Sequence, residues 1–146
     1  MAGKQKLIYT GDPPRTHVET HKCKYIWGID DAVTWFNYSV YDDVLLVQYL
    51  LNKAGYSEPL VLDGIFGRKT YRAIRRFQSE FKYCYVDRRV DPYKGRIVST
   101  KSNTVYTILH LNDALLWHNP IYFKDISSDP DCPAELAVIA DSATVS

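Results

Sequence analysis

The fold is decided by residues 42–82, which read DDVLLVQYLLNKAGYSEPLVLDGIFGRKTYRAIRRFQSEFK. Two helix patterns, in which apolar residues recur three or four positions apart, flank a tight glycine-containing turn at residues 63–67. Neither helix can bury its apolar stripe alone, so the two must pack against each other. The stripes are Val44, Val47, Leu51 and Ala54 before the turn, and Tyr71, Ile74, Phe77 and Phe81 after it.

The turn between the two helices has residues suited to a fixed backbone shape. The carboxylate of Asp63 can accept hydrogen bonds from N–H groups one or two residues later, and Gly64 permits a backbone angle that strains other residues. Gly67 can cap the second helix, and Thr70 lies in its first turn. We therefore assign these residues to the scaffold, and expect a β-branched residue at position 64 to damage the fold.

The motif spans both helices and the turn. It reads Val44-x-x-Val47-Gln48-x-x-Leu51-x-x-x-Gly55-Tyr56, then Asp63-Gly64-Ile65-Phe66-Gly67-x-x-Thr70-x-x-Ala73-Ile74-x-x-Phe77-Gln78. This pattern resembles the peptidoglycan-binding domain 1 family. The resemblance implies a mainly α fold, a three-helix bundle built from a duplicated turn-helix unit. It also implies recognition of bacterial cell-wall peptidoglycan, with no catalysis and no cofactor.

A second copy of the turn-helix unit is predicted at residues 87–112. Residues 87–92 read DRRVDP and match the turn, while residues 104–112 match the helix that follows, with Val105, Ile108 and Leu111 as its buried stripe. The copy departs from the family in having Arg88 at the position of Gly64 and an insertion at residues 93–101. We expect the family-like domain to span residues 42–112.

The remaining residues, 1–41 and 113–146, are predicted to be irregular or short-β extensions. We expect residues 1–24 to form an arm on the surface, with residues 25–28 and 33–36 as a small hairpin or flap. The C-terminal extension should pack back on the bundle. The aromatic residues of the extensions suit a protein interface. They are Trp27, Trp35, Phe36 and Trp117.

The exposed side of the second helix is the predicted contact surface for peptidoglycan. Residues 68–101 contain 11 Lys or Arg residues and only three acids, which indicates an anionic partner or neutralisation by other segments. Stem peptides and sugars suit a shallow groove that has aromatic platforms and cationic donors. The predicted contacts are Tyr56, Arg72, Arg75 and Gln78, with Arg68 at the rim. The alternative places the tyrosine in the core and pairs the arginines with Asp42, Asp43 or Glu80.

No metal or catalytic site is expected. The run His17-x-x-x-His21-x-Cys23 offers three potential ligands, but a zinc site usually needs a fourth ligand and a rigid frame. No serine or cysteine lies in a nucleophile motif, and no carboxylate pair is free of a structural use as cap or turn. The odd number of widely spaced cysteines favours reduced thiols over disulfides.

The sequence thus favours a non-catalytic binding module for peptidoglycan, delivered by a phage or a contractile secretion system. The alternative is an adaptor or structural protein that keeps the scaffold but binds a protein. DNA binding through the arginine-rich helix is disfavoured, because the turn before it is long and contains apolar residues 60–62. No secretory signal or membrane-length apolar run is visible. We therefore expect cytoplasmic synthesis, no membrane partner, and a route to the periplasm or wall that does not use Sec.

Overall fold

The computed structural model describes residues 2–9, 14–35, 39–95 and 104–142. Within these ranges the chain is mainly helical, with one two-stranded antiparallel sheet, which confirms the predicted fold class. The elements in chain order are β1 (Gly3–Lys6), α1 (His17–Thr20), β2 (Tyr25–Gly28), α2 (Tyr41–Ala54), α3 (Arg68–Ser79), α4 (Thr107–His118), α5 (Pro120–Lys124), a 3₁₀ turn (Ile126–Ser128) and α6 (Ala134–Ser142).

Helix α2 is buried on nearly all sides and forms the centre of the molecule. Its predicted stripe is buried, but Leu45, Leu46 and Leu50 on the other sides are also at most 1% exposed. A helix that is apolar all round belongs inside a core. It packs against α3, α4 and α6, so the C-terminal segment and the three-helix unit share one core.

A buried glutamine holds the first turn-helix unit together. Gln48 on α2, which is 1% exposed, accepts a hydrogen bond from the N–H of Gly64 at 2.9 Å through its Oε1. Its Nε2 lies 3.1 Å from Asp63 Oδ1, 3.1 Å from the carbonyl oxygen of Ile65 and 3.0 Å from Thr70 Oγ1. One side-chain amide therefore joins helix α2, the turn and the first turn of helix α3.

Gln78 on α3 makes the same set of contacts in the second copy. Its Oε1 accepts from the N–H of Arg88 at 2.9 Å, and the side chain is 0% exposed. Its Nε2 lies 3.0 Å from Asp87 Oδ1, 2.9 Å from the carbonyl oxygen of Arg89 and 2.9 Å from Thr107 Oγ1. The predicted duplication is thus confirmed at the level of individual hydrogen bonds.

The two turns also share a backbone conformation. The carboxylate of Asp63 accepts from the N–H two residues later at 3.0 Å, and that of Asp87 does so at 3.1 Å. Gly64 has a φ of 68° and Arg88 has a φ of 60°, so the second turn adopts the left-handed conformation without a glycine. The inserted segment that follows lies outside the described residues from position 96 to its end.

The N-terminal segment is part of the core, and the predicted surface arm is wrong. Leu7 and Val18 are 3% and 0% exposed. The predicted hairpin is also wrong, because β2 pairs with β1 in antiparallel register, while Val33 forms an isolated antiparallel bridge with Val90. The strand pattern at residues 25–28 was read correctly, but its partner lies earlier in the chain and not later.

A third buried amide fixes the sheet to helix α4. Asn112 accepts from the N–H of Trp27 at 2.7 Å and donates to the carbonyl oxygen of Trp27 at 2.9 Å. The same amide donates to the carbonyl oxygen of Ile108 at 2.8 Å within its own helix. The Asn112 amide therefore pairs with both backbone polar groups of Trp27, as a neighbouring strand would.

Helix α4 begins and ends later than predicted. Val105, Ile108 and Leu111 are buried as expected, although Val105 precedes the helix. The helix continues to His118, so the domain boundary predicted at residue 112 falls within it.

The C-terminal segment is attached to α2 through a buried carboxylate. Asp129 Oδ2 accepts from the Tyr49 hydroxyl at 2.7 Å and lies 2.7 Å from Lys53 Nζ. Burial alone would raise the pKa of Asp129. Hydrogen bonds from Lys53, from the N–H of Asp131 and from Tyr49 outweigh this effect and bring the pKa below its usual value. The extension is therefore held by a charge that the central helix itself neutralises.

We predict that Gln48→Leu and Gln78→Leu each lower the free energy of unfolding by about 2–4 kcal/mol, because each leaves several buried polar groups without a partner. Chemical denaturation monitored by circular dichroism measures this loss. Gln5→Leu is the control, since Gln5 is only half-buried and, among the described residues, donates one hydrogen bond, to the carbonyl oxygen of Tyr93. A loss at Gln48 or Gln78 no larger than at Gln5 would contradict the shared role.

A second prediction separates backbone strain from steric overlap at two glycines. Gly55 ends α2 with a φ of 78° and open space around it, whereas a Cβ at Gly64 would overlap the Tyr41 ring and lie 2.9 Å from its carbonyl oxygen. We expect Gly55→Ala to cost about 1 kcal/mol through strain alone, and Gly64→Ala to cost about 2–4 kcal/mol because overlap is added. Equal losses in thermal or chemical denaturation would show that the Tyr41 contact is unimportant.

Candidate functional site

The outer face of α3 is strongly cationic. Arg68, Arg72 and Arg75 are exposed and lie four and three residues apart, which places them on one stripe of the helix. Among the described residues none of these three makes an ion pair, whereas Arg76 lies 3.1 Å from Glu80. Three guanidinium groups therefore face solvent without an internal partner in the described part of the chain.

The other acids proposed as partners for these arginines serve the N-terminal segment instead. Asp42 accepts from the N–H of Ala2 at 3.1 Å, and Asp43 accepts from the N–H of Asp31 at 3.0 Å. Burial raises the pKa of Asp43 to about 6, and that side chain is 0% exposed. Among the described residues, Asp42 and Asp43 therefore do not neutralise the arginine stripe.

An aromatic cluster, defined here as Trp35, Phe66 and Tyr71, adjoins this stripe. The ring centroids of Trp35 and Phe66 are 5.3 Å apart, and those of Trp35 and Tyr71 are 5.6 Å apart. Trp35 is 45% exposed, so much of its ring surface faces solvent. On α3 the tyrosine lies three residues after Arg68 and four before Arg75, which makes both arginines its neighbours on the helix surface.

The second turn holds Trp35 in place. Val33 and Val90 exchange two backbone hydrogen bonds of 2.9 and 3.0 Å, and Trp35 follows two residues later. The N-terminal segment therefore runs from the second turn to the first, where Trp35 meets Phe66. Sequence reasoning assigned Trp35 to a separate extension and missed this contact, because nothing local in residues 33–36 indicates a partner 31 positions away.

Arg88 adds a fourth cation to the aromatic cluster. Its guanidinium carbon lies 5.8 Å from the centroid of the Tyr71 ring, within the range of a cation–π contact. The left-handed backbone of Arg88 is unfavourable for any residue with a side chain, and such strain is often found at functional sites. Arg88 was noticed in the sequence only as a departure from the turn pattern.

Two of the predicted contact residues lie elsewhere. Gln78 as a ligand contact is wrong, because it is 0% exposed and its amide is fully used inside the second turn. Tyr56 packs on Phe77 and Phe81 with centroid distances of 5.8 and 5.7 Å. On α3, Phe77 lies about 9 Å along the helix axis from Tyr71 of the aromatic cluster. The structure therefore does not bring Tyr56 together with the aromatic cluster.

In the run His17-x-x-x-His21-x-Cys23, the two histidines contact aromatic rings and are not arranged around a metal site in the described ranges. The His17 ring lies 4.2 Å from the His21 ring and 5.0 Å from that of Trp117, measured between centroids. In the described ranges no group of three or more His, Cys, Asp or Glu side chains is arranged to hold a metal ion.

Comparison with known proteins identifies the central segment. Residues 40–92 match the family described as "Putative peptidoglycan binding domain", which confirms the resemblance. The match covers α2, the first turn, α3 and the second turn, and it supports a cell-wall binding module of a kind that is usually non-catalytic. No curated protein and no solved structure matched the chain. In the described part of the chain, no helix is long and apolar enough to cross a membrane.

We predict that Arg88→Gly raises the free energy of unfolding relative to Arg88→Ala by about 1 kcal/mol, because glycine relieves the left-handed strain that alanine retains. Both variants lose the guanidinium group, so comparing them isolates the backbone. Urea denaturation of the two variants under identical conditions measures the difference. Equal stability would mean that the second turn is unstrained or rearranges in the variants.

Proposed function

We propose that the protein binds bacterial peptidoglycan without catalysis, through the aromatic cluster together with Arg68, Arg72, Arg75 and Arg88. The observation that carries this proposal is the row of arginines without ion pairs among the described residues, placed beside exposed Trp35. All of these residues except Trp35 lie within the segment that matches the family.

The chemistry of peptidoglycan suits this surface. Its stem peptides carry carboxylates, and a guanidinium group can hold a carboxylate with two parallel hydrogen bonds. The aromatic rings offer flat apolar faces with a polar edge, on which the C–H face of a sugar ring can pack. Arginines would therefore select the peptide, while the aromatic cluster would supply contact area beside it.

The expected binding is moderate and sensitive to salt. An exposed ion pair contributes only about 0.2–1 kcal/mol, so several arginines must act together. Charges on the surface are screened beyond about 8 Å at physiological ionic strength. Added salt should therefore weaken the arginine contribution and leave the aromatic contribution in place.

We predict that Trp35→Ala and the double variant Arg72→Glu/Arg75→Glu lower binding to purified insoluble peptidoglycan by roughly fivefold and tenfold, as expected for losses near 1 kcal/mol or more. Co-sedimentation at low and physiological salt measures binding. Trp117→Ala and Arg15→Glu are the matched controls, because both residues are exposed and outside the proposed surface. We expect the controls to bind like the natural protein.

Failure of the unaltered protein to sediment with peptidoglycan at low salt would overturn wall binding. Equal losses in Trp35→Ala and Trp117→Ala would overturn the assignment of the surface. Circular dichroism of each variant separates a lost contact from lost folding.

The alternative is an adaptor that uses its aromatic extensions to bind a protein. Of the residues proposed for that interface, Trp27 is 2% exposed and is therefore excluded, while Phe36 lies outside the described residues. Trp117 is 70% exposed and Ile121 is 75% exposed, which favours a partner at the end of α4. Retention of a purified partner that depends on Trp117, with no retention on peptidoglycan, would favour this reading.

The route to the wall is also a proposal. Delivery by a phage or a contractile secretion system predicts that lysis, tail or secretion-machine genes lie beside the gene for this protein. A neighbourhood with none of these genes would argue against such delivery without affecting the test of binding.

A further inference from the structure

A cavity of about 580 Å³ lies between the β1–β2 sheet and the junction of α4 and α5. This volume falls in the range of about 300–1,000 Å³ that is typical of small-molecule sites. All of its lining residues lie outside the segment that matches the family. The lining combines three lysines, Lys4, Lys24 and Lys124, with three aromatic residues, Tyr25, Trp27 and Phe123.

The charge of the cavity has one sign. The described part of its lining contains no carboxylate, and none of its three lysines makes an ion pair with another described residue. Lys24 and Lys124 are exposed at the surface. An anion that entered the cavity would therefore meet ammonium groups that no described acid already neutralises.

Lys4 is held over the aromatic wall. Its Nζ lies 5.6 Å from the centroid of the Tyr25 ring and 5.7 Å from that of Trp27, so two cation–π contacts position the ammonium group. The sheet register places Lys4 directly opposite Trp27. Side chains two residues apart on a strand share a face, which brings Tyr25 to the same wall.

Trp27 is fixed within the aromatic wall from two sides. The indole N–H of Trp27 donates to the carbonyl oxygen of Phe123 at 2.6 Å, which links β2 to α5. The backbone of Trp27 is held from the other side by Asn112 on α4. A preformed wall costs little ordering on binding, so a modest set of contacts suffices for measurable affinity.

We propose that this cavity binds a small organic anion whose body is flat and apolar, such as an aryl carboxylate, sulfonate or phosphate. The apolar body packs on the aromatic and aliphatic lining, which includes Leu116 and Pro120, and the acidic group meets Lys4 and Lys124. This site is independent of the proposed function, because it shares no residue with the arginine and aromatic surface on α3.

The test uses fluorescence titration with 8-anilinonaphthalene-1-sulfonate and its uncharged counterpart, N-phenyl-1-naphthylamine. We expect Lys4→Met and Lys124→Met each to weaken binding of the sulfonate by about fivefold and to leave binding of the amine unchanged, because only the charge contact is lost. Lys82→Met is the matched control, since Lys82 also lies over a tyrosine ring, 5.5 Å from the centroid of Tyr83, outside the cavity.

Thiol labelling locates the bound probe. Cys23 lines the cavity, and Cys132 is a half-buried thiol outside it. Burial, followed by the nearby charge of Asp113, raises the pKa of the Cys23 thiol, so labelling with iodoacetamide is measured in mildly alkaline buffer. We expect the sulfonate to slow labelling at Cys23 and not at Cys132.

The proposal is overturned if the sulfonate does not bind, if the lysine variants bind it as tightly as Lys82→Met does, or if Cys23 is not protected. Equal weakening of sulfonate binding and amine binding would also overturn the proposal. That result would mean that the substitution changed the shape of the cavity and did not act through its charge. Peptidoglycan sedimentation of Lys4→Met should be unchanged, so failure here and failure of wall binding are distinguishable.

Discussion

The structure depends on side-chain amides buried where helices meet turns. An amide carries an acceptor and two donors, so it can satisfy both the N–H and the C=O groups that a turn leaves unpaired in a core. Gln48 and Gln78 serve this purpose at the two turns, and Asn112 on α4 does the same for the backbone of Trp27 in strand β2. A buried polar group without a partner costs about 1–3 kcal/mol, a sizeable fraction of the 5–15 kcal/mol by which a typical domain is stable.

These amides also determine the surface that faces the proposed ligand. Gln48 fixes the turn that leads to Phe66, and Gln78 fixes the backbone of Arg88, whose guanidinium group lies over Tyr71. Two turns held from inside the core therefore contribute to this surface: the first supplies Phe66 of the aromatic cluster, and the second supplies Arg88. Buried glutamines therefore help to position side chains of the proposed binding surface.

The sequence was informative where structure is local and repeated. Helical periodicity and the glycines at 55 and 64 were enough to place α2, the first turn and α3. The prediction of Gln78 as a ligand contact is wrong, because its closeness in sequence to Arg75 and Arg76 does not show that its side chain faces the core. The internal repeat contained the correction, since Gln78 follows Phe77 as Gln48 follows Val47, and both glutamines precede an aspartate turn. No comparable signal in the sequence marks the Trp35 contact or the β1–β2 pairing, because both join segments that are far apart in the chain and show no sustained periodicity.

Because α2 is buried on nearly all sides, the matched segment cannot be separated from its flanking segments without exposing apolar surface. Leu45, Leu46 and Leu50 lie on sides of α2 outside its predicted apolar stripe and are at most 1% exposed. The flanking segments cover them here, with Asp129 attached to Tyr49 and Lys53. A fragment limited to residues 40–92 would expose apolar side chains of α2 that the flanking segments bury in the full chain. The segment that matches the family shares its core with both flanking segments, so its packing depends on them.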